Sequence, residues 1–198
     1  MKPAKLGLSS PRAADDLAEL GFDTDELAYT LAGAADPDLA LNNAYRLHDA
    51  LDSWAPLLDE LKSNPFFRTR FFALLGGSTA LSDHLIATPE QWRLLCDDIP
   101  DRPAMFRTML AAVGVDADAP GLYRAGDGEV VVAKQALRIA HRNLVMQVAA
   151  ADLAGTFAAV KGIGGGEPMT YAYTTDRLTD LADAALTAAL AVAMRDVY

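Results

Sequence analysis

Disulfide and metal-thiolate chemistry are the first things this sequence lacks the residues for. It holds 1 cysteine, Cys96, which excludes an internal disulfide framework and a Cys-only zinc site. Its 3 histidines, His48, His84 and His141, are dispersed along the chain and cannot easily supply a metal centre. Basic residues are scarce as well: 17 Lys and Arg stand against 27 Asp and Glu, for a net charge of −10. Phosphate contacts need a basic face, and without a Lys/Arg block the chain argues against nucleic acid as a partner. Long apolar runs are missing too. The longest, Ala188 to Met194, falls far short of the roughly 20 residues a membrane helix requires, and Met1-Lys2-Pro3-Ala4-Lys5 leads into no apolar signal core. A cytoplasmic protein with neither nucleic-acid nor membrane partners is the expectation. What the chain does have, 52% hydrophobic and 22% charged residues over 198 positions, suits a packed core of one or two domains.

Helix punctuation is unusually legible. Ser10-Pro11 opens a short helix that Gly21 stops, with Pro at the first helical position and Gly beyond the end. Asp23 with Glu26 reads as a capping box for the next helix, ended by Gly33. Asp36-Pro37 starts a third helix through Leu39, Asn43, Leu47 and Leu51, interrupted at Pro56. Asn64-Pro65 starts an aromatic-rich helix (Phe66, Phe67, Phe71, Phe72) that Gly76-Gly77 stops, and Ser78 caps the one after it. A second capping box is expected at Thr88 and Gln91, and one more helix from Asp101 to Gly114 with Met105, Met109, Leu110 and Val113. Two long helices follow, Glu129 to Val160 and Thr175 to Tyr198, and the connections before them, Val115 to Gly128 and Lys161 to Thr174, are the longest loops. Only Val130-Val131-Val132 and Tyr171-Ala172-Tyr173 look strand-like, each too short for a sheet. The expected fold is all-α, a bundle of two long C-terminal helices packed with several short N-terminal helices. Residues 1–35 form a region of short helices and residues 36–198 the helical domain proper. The end, Met194-Arg195-Asp196-Val197-Tyr198, has no Gly, Pro or polar stop; a fragment cut from something longer and a frayed last helix explain that equally well.

Candidate chemistry is thin. Nucleotidyl transfer needs carboxylates that hold metal ions between the nucleotide and its attacking group. Gly76-Gly77-Ser78 offers the turn that precedes such carboxylates, but Asp83 follows too soon, without a second carboxylate two positions on. The pairs Asp23/Asp25, Asp36/Asp38, Asp116/Asp118 and Asp127/Glu129 have the right spacing. All lie at helix starts or in loops, where the helix dipole explains them without metal. Lys161-Gly162-Ile163-Gly164-Gly165-Gly166 has its lysine before the glycines rather than after, so it reads as an interhelix loop and not a P-loop. Nucleophilic catalysis has no Gly-x-Ser-x-Gly elbow, and Cys96 falls in a helix pattern. Trp54, Trp92 and the Phe66–Phe72 cluster read as core aromatics. One concentrated basic feature remains: Lys134, Arg138, His141 and Arg142 fall within about a 100° sector at the helical step. That stripe could receive phosphate or a carboxylate-rich partner; ion pairing with acidic residues of the last helix is the blander explanation. Neither catalytic nor metal-binding residues are assigned.

Three ordered stretches carry a resemblance. The first runs Ser63-Asn64-Pro65-Phe66-Phe67-Arg68, Leu74-Leu75-Gly76-Gly77-Ser78, Leu81-Ser82-Asp83-His84-Leu85 and Pro89-Glu90-Gln91-Trp92. The second is Leu137-Arg138 through His141-Arg142 to Asp152-Leu153-Ala154-Gly155, and the third Leu178-Thr179-Asp180-Leu181-Ala182-Asp183 with Leu186 and Ala189-Leu190. In that order, over roughly residues 40 to 195, they resemble the N-terminal helical region of the bifunctional glutamine-synthetase adenylyltransferase/adenylyl-removing enzymes. The resemblance implies a longer parent that regulates glutamine synthetase by reversible adenylylation. Its N-terminal half removes AMP from a tyrosine by phosphorolysis, and its C-terminal half adds AMP from ATP. It further implies magnesium, ATP or phosphate as substrates, and a PII-type signalling protein as a partner beside glutamine synthetase. The family's Gly-x-Gly-Lys-Leu-Gly and Ser-Asp-x-Asp motifs do not occur here, so this region is expected to be inactive alone and without a cofactor of its own. Where the family pattern has further arginines, this chain holds Gln147 and Ala151. Arg138, His141 and Arg142 become the candidates for contact with the catalytic domain or its anionic ligands. The competing expectation is a free-standing all-helical interaction module; a helical transcription regulator is disfavoured because no short helix is basic enough for recognition.

Overall fold

A computed structural model describes residues 2–119, 121–126, 128–161 and 168–196. Gly162 to Gly166 and Val197-Tyr198 lie outside them. Among the described residues all regular structure is helical: α1 (Ala13–Glu19), α2 (Asp25–Ala32), α3 (Pro37–Ala50), α4 (Ala55–Ser63), α5 (Pro65–Gly77), α6 (Thr79–Ala87), α7 (Arg102–Ala112), α8 (Val130–Lys161) and α9 (Tyr171–Ala193), with 3₁₀ turns at Pro3–Leu6, Pro89–Leu95 and Met194–Asp196. The fold is all-α, as the helical punctuation predicts. Two compact units divide the chain, each assembled from two stretches: Met1–Asp98 with Ala149–Met169, and Ile99–Val148 with Thr170–Tyr198.

In the first unit, side-chain caps start three helices where polar residues precede a helical run. The Asp36 carboxylate accepts from Leu39 N at 2.9 Å, the Asn64 side chain from Phe66 N and Phe67 N at 3.1 and 3.0 Å, and Ser78 Oγ from Leu81 N at 3.4 Å. Each satisfies a donor that the first helical turn leaves open. Neither expected capping box forms. α2 starts at Asp25 with Thr24 in the cap position and no side-chain bond there, and Glu26 instead receives Arg68 at 2.8 Å. Thr88 turns its hydroxyl back to His84 O at 2.8 Å, and the segment beyond it is 3₁₀ rather than α. Pro11 belongs to a turn, so α1 begins at Ala13. Pro56 interrupts nothing: α3 has already ended at Ala50, and Pro56 lies in the first turn of α4, where its missing N–H is no loss.

Burial centres on α5. Phe67, Phe71 and Phe72 are fully buried, with Phe72 edge-on to Phe22 at 5.3 Å and Phe67 against Trp92 at 5.5 Å; each buried phenyl contributes on the order of 1.5–3 kcal/mol. Trp54 donates Nε1–H to Leu20 O at 3.0 Å. Gly76-Gly77 does not stop α5 but completes it. At Gly76 a Cβ would come within 2.7 Å of Ala34 Cβ and 2.8 Å of the Asp36 carbonyl oxygen. The glycine therefore lets α5 approach the start of α3, and the buried Asn43 side chain locks that approach by donating to Leu75 O at 2.9 Å. Late in α8, Ala154 packs on Ala73 with Leu153 beside them.

In the second unit α7 packs along α9. Met105, Met109 and Leu110 of α7 and Leu181, Ala184, Ala188 and Ala191 of α9 are buried, and the α9 alanines let the two backbones come close. Asp101 caps α7 through Ala104 N at 2.9 Å. Thr170 caps α9 through Tyr173 N at 3.2 Å, so α9 begins at Tyr171 rather than at Thr175. Both strand-like triplets, Val130–Val132 and Tyr171–Tyr173, are the opening turns of long helices: β-branched or aromatic propensity yields to the helical context around it. The long connection before α8 is fastened to α9 by Ala125 N donating to Ala191 O at 3.0 Å. No helix among the described residues is long and apolar enough to cross a membrane.

Candidate functional site

The helical step predicts one face for Lys134, Arg138, His141 and Arg142, and α8 places three of them on a groove of the second unit. Arg138, His141 and Arg142, with Leu137, form its α8 wall; Met109 comes from α7, and Ala185, Leu186 and Ala189 from α9. The groove has a volume of about 330 Å³. Lys134 is not among its lining residues, being one turn before Arg138 on the same face. Arg138 and Arg142 are exposed and His141 is half-buried. No acidic residue lines the groove among the described residues.

Ion pairing of these residues with Asp180 and Asp183 of α9 does not occur here, because other arginines hold those two carboxylates. Arg102, at the start of α7, donates to Asp180 and Asp183 at 2.9 Å each, and Arg177 pairs with Asp180 at 2.8 Å. The hydrogen bonds from Arg102 to Asp180 and then Asp183 raise its pKa above the ordinary arginine value. Among the described residues, Lys134, Arg138, His141 and Arg142 are left without an ion pair.

The apolar half of the groove, with Leu137, Leu186 and Ala189, figures in the sequence only within the stretches that carry the resemblance and not as part of a site. Its signal was present in α9. At 100° per residue, Leu178, Ala182, Leu186, Ala189 and Ala193 form a second apolar stripe beside the buried one. A helix whose apolar arc is wider than one packing face has two faces to cover. Leu186 is 70% exposed and Leu190 58%, so the second face is open within this unit.

Elsewhere, the polar groups that could suggest chemistry are occupied structurally. Asp36 is a helix cap, and Asp38 accepts from Ser9 N at 3.0 Å and from Ser9 Oγ at 2.5 Å. Those bonds, the hydroxyl's first, hold the Asp38 carboxyl below its ordinary pKa. Asp83 is paired with Arg46 at 2.8 Å, and Asp116 accepts the N–H of Asp118 at 3.0 Å. Asp127 lies outside the described residues. No cluster of three or more His, Cys, Asp or Glu side chains among the described residues could hold a metal ion. Burial, with Glu60 and Asp97 nearby, pushes the Cys96 thiol up to about 11, which leaves almost no thiolate at neutral pH. In the first unit, a polar hollow of about 420 Å³ is lined by Ser9, Arg12, Asp16, Asp38, Asn42 and Tyr45 among others. Its charges are already engaged: Asp38 by Ser9 and Arg12 by Asp16 at 3.7 Å. Among the described residues, the groove on the second unit combines cations that have no ion pair with uncovered apolar surface.

Comparison with known proteins gives a consistent set of relatives. The chain is 40% identical over 224 residues to the bifunctional glutamine synthetase adenylyltransferase/adenylyl-removing enzyme of Corynebacterium glutamicum, a match covering 100% of this chain and 21% of that protein. It is 45% identical over 205 residues to the enzyme of the same name in Nocardia farcinica, covering 98% of this chain and 20% of the relative. The counterpart in Mycobacterium tuberculosis is 35% identical over 205 residues, with 98% and 19% covered. This chain thus spans about a fifth of the length of the curated relatives it matches. No protein-family profile matches it, and no solved structure does.

Proposed function

This chain belongs to the family of bifunctional glutamine synthetase adenylyltransferase/adenylyl-removing enzymes as a segment about a fifth of their length, and from that premise we propose that it is the N-terminal helical docking or scaffold region of such an enzyme. In the whole protein, AMP is removed from a tyrosine of glutamine synthetase by phosphorolysis in the N-terminal half and added from ATP in the C-terminal half. Magnesium, and ATP or phosphate as substrates, belong to those catalytic halves, and a PII-type signalling protein is a further partner. The segment itself is catalytically silent and works in the cytoplasm. Its silence is supported by the employment of Asp36, Asp38, Asp83 and Asp116 in a cap, turns and an ion pair rather than in a common site.

The observation that carries the docking role is the face of Arg138, His141 and Arg142, which keeps its positive charge unpaired in a chain of net charge −10. Cations left without partners at a surface cost little and are available to an incoming anionic surface. The test is calorimetric titration of the chain into glutamine synthetase, in its unmodified and its AMP-bearing form. Binding that prefers one form makes the segment part of substrate recognition. Absence of heat with both forms removes docking to glutamine synthetase and leaves a scaffold role.

A further inference from the structure

The groove has two chemistries in fixed adjacency, and together they specify an occupant more narrowly than either alone. Its floor is aliphatic, supplied by Leu137, Leu186 and Ala189; its α8 side carries Arg138 and Arg142, with the half-buried His141 between them in the wall. A small inorganic anion would satisfy the guanidinium groups and leave the floor wet. A purely apolar ligand would cover the floor and strand the cations at its edge. Both halves are satisfied by a polypeptide helix with an apolar ridge and carboxylates along one flank, the helix-in-groove mode read by anchors at i, i+3/i+4 and i+7. The apolar stripe continues along α9 in both directions from the groove, to Leu178 on one side and to Leu190 and Ala193 on the other. That is the footprint of an extended element rather than of a compact ligand.

We infer that this groove is the seat of an acidic amphipathic helix from a partner polypeptide, with leucine-type side chains on Leu186 and Leu137 and carboxylates on Arg138 and Arg142. The inference deepens the docking role proposed above and rests on it, but names the chemistry of what docks. Charge complementarity selects this partner over a second copy of the same face. Two copies would bring Arg138 and Arg142 against one another, with no carboxylate in the lining to separate them.

The experiment needs no glutamine synthetase, so its failure is distinguishable from failure of the calorimetry described above. A fluorescein-labelled synthetic helix with Leu and Ala on one face and Glu along its flank is titrated into the full chain, beside the same peptide with Lys in place of Glu. The Glu peptide is expected to bind at least about ten-fold more tightly at low salt, with the preference shrinking as salt is raised. The double variant Arg138→Glu/Arg142→Glu is expected to abolish or reverse that preference. Leu186→Asp is expected to weaken the Glu peptide by about ten-fold or more, since an apolar anchor is lost and a like charge faces the flank. All three positions are exposed, so helix content and melting should be unchanged, which circular dichroism checks. Equal binding of the two peptides overturns the inference. So does indifference to Leu186→Asp, which would reduce the groove to a charged surface. A chain that dimerises through this face, losing its dimer on Leu186→Asp, overturns it in favour of a self-interface.

Discussion

Arg68 and Arg70 on α5 and Arg138 and Arg142 on α8 are the same residue type put to opposite uses. In the first unit Arg68 is 5% exposed and donates to Leu61 O at 3.1 Å and to Glu26 at 2.8 Å. Arg70 is 4% exposed; it donates to Leu95 O at 3.2 Å and to Asp97 O, and lies 3.9 Å over the Phe66 ring. Each guanidinium satisfies carbonyls at the end of a neighbouring helical segment, where the backbone leaves acceptors open. Arg138 and Arg142 have no such carbonyls within reach and remain at the surface. Fixed donors stabilise a fold, whereas unspent donors beside apolar surface are available to a partner.

Substitutions on the two sides should separate these uses. The largest effect is expected at Arg70→Ala, which strips two carbonyls of their donor and opens a cavity under Phe66. A loss of roughly 3–5 kcal/mol in denaturant unfolding follows from two carbonyls left without their donor and from the volume the side chain vacates, and a loss under 1 kcal/mol would break the contrast. Gly76→Ala comes next, at about 1–3 kcal/mol, because the new Cβ meets Ala34 and the Asp36 carbonyl oxygen in a helix contact with little room to relax; thermal melting measures it. A smaller effect is pH-dependent. The Asp38 pKa is lowered from the ordinary 3.8 on folding, so its stabilising contribution is fully present above that value and is lost as the pH falls through the lowered one. Wild type should exceed Asp38→Asn by about 1 kcal/mol at pH 7, and the two acid-unfolding curves should converge at the acid end. Smallest is the double change Arg138→Glu/Arg142→Glu, expected to move unfolding by no more than about 0.5 kcal/mol. A large destabilisation there would show that α8's arginines are structural after all.

Legibility followed the range of the interaction. Caps at Asp36, Asn64, Ser78 and Asp101 could be read directly because a cap bonds to an N–H two or three residues on. Glu26 could not: its partner Arg68 lies 42 positions away, and that contact displaced the local capping box. Gly76 looked like a stop signal because Gly ends many helices, whereas its role is a backbone approach to residues near α3 that no local pattern reveals. For the candidate site, helical periodicity alone put Arg138, His141 and Arg142 on one face. The apolar floor from Leu186 and Ala189 was written in the width of the apolar arc of α9, which a search for charged or nucleophilic residues passes over.

Capping residues and the 3.6-residue period are enough to make the chain helical, to place most of its helix starts, and to set Arg138, His141 and Arg142 on one side of α8. Which carboxylates those side chains would meet was settled by the folded arrangement of the helices. Asp180 and Asp183 on α9 were available in composition, but Arg102 and Arg177 lie within 3 Å of them and Arg138 and Arg142 do not. Ion pairing is decided by distance in the folded chain, and distance between residues far apart in sequence is not a property of any local pattern.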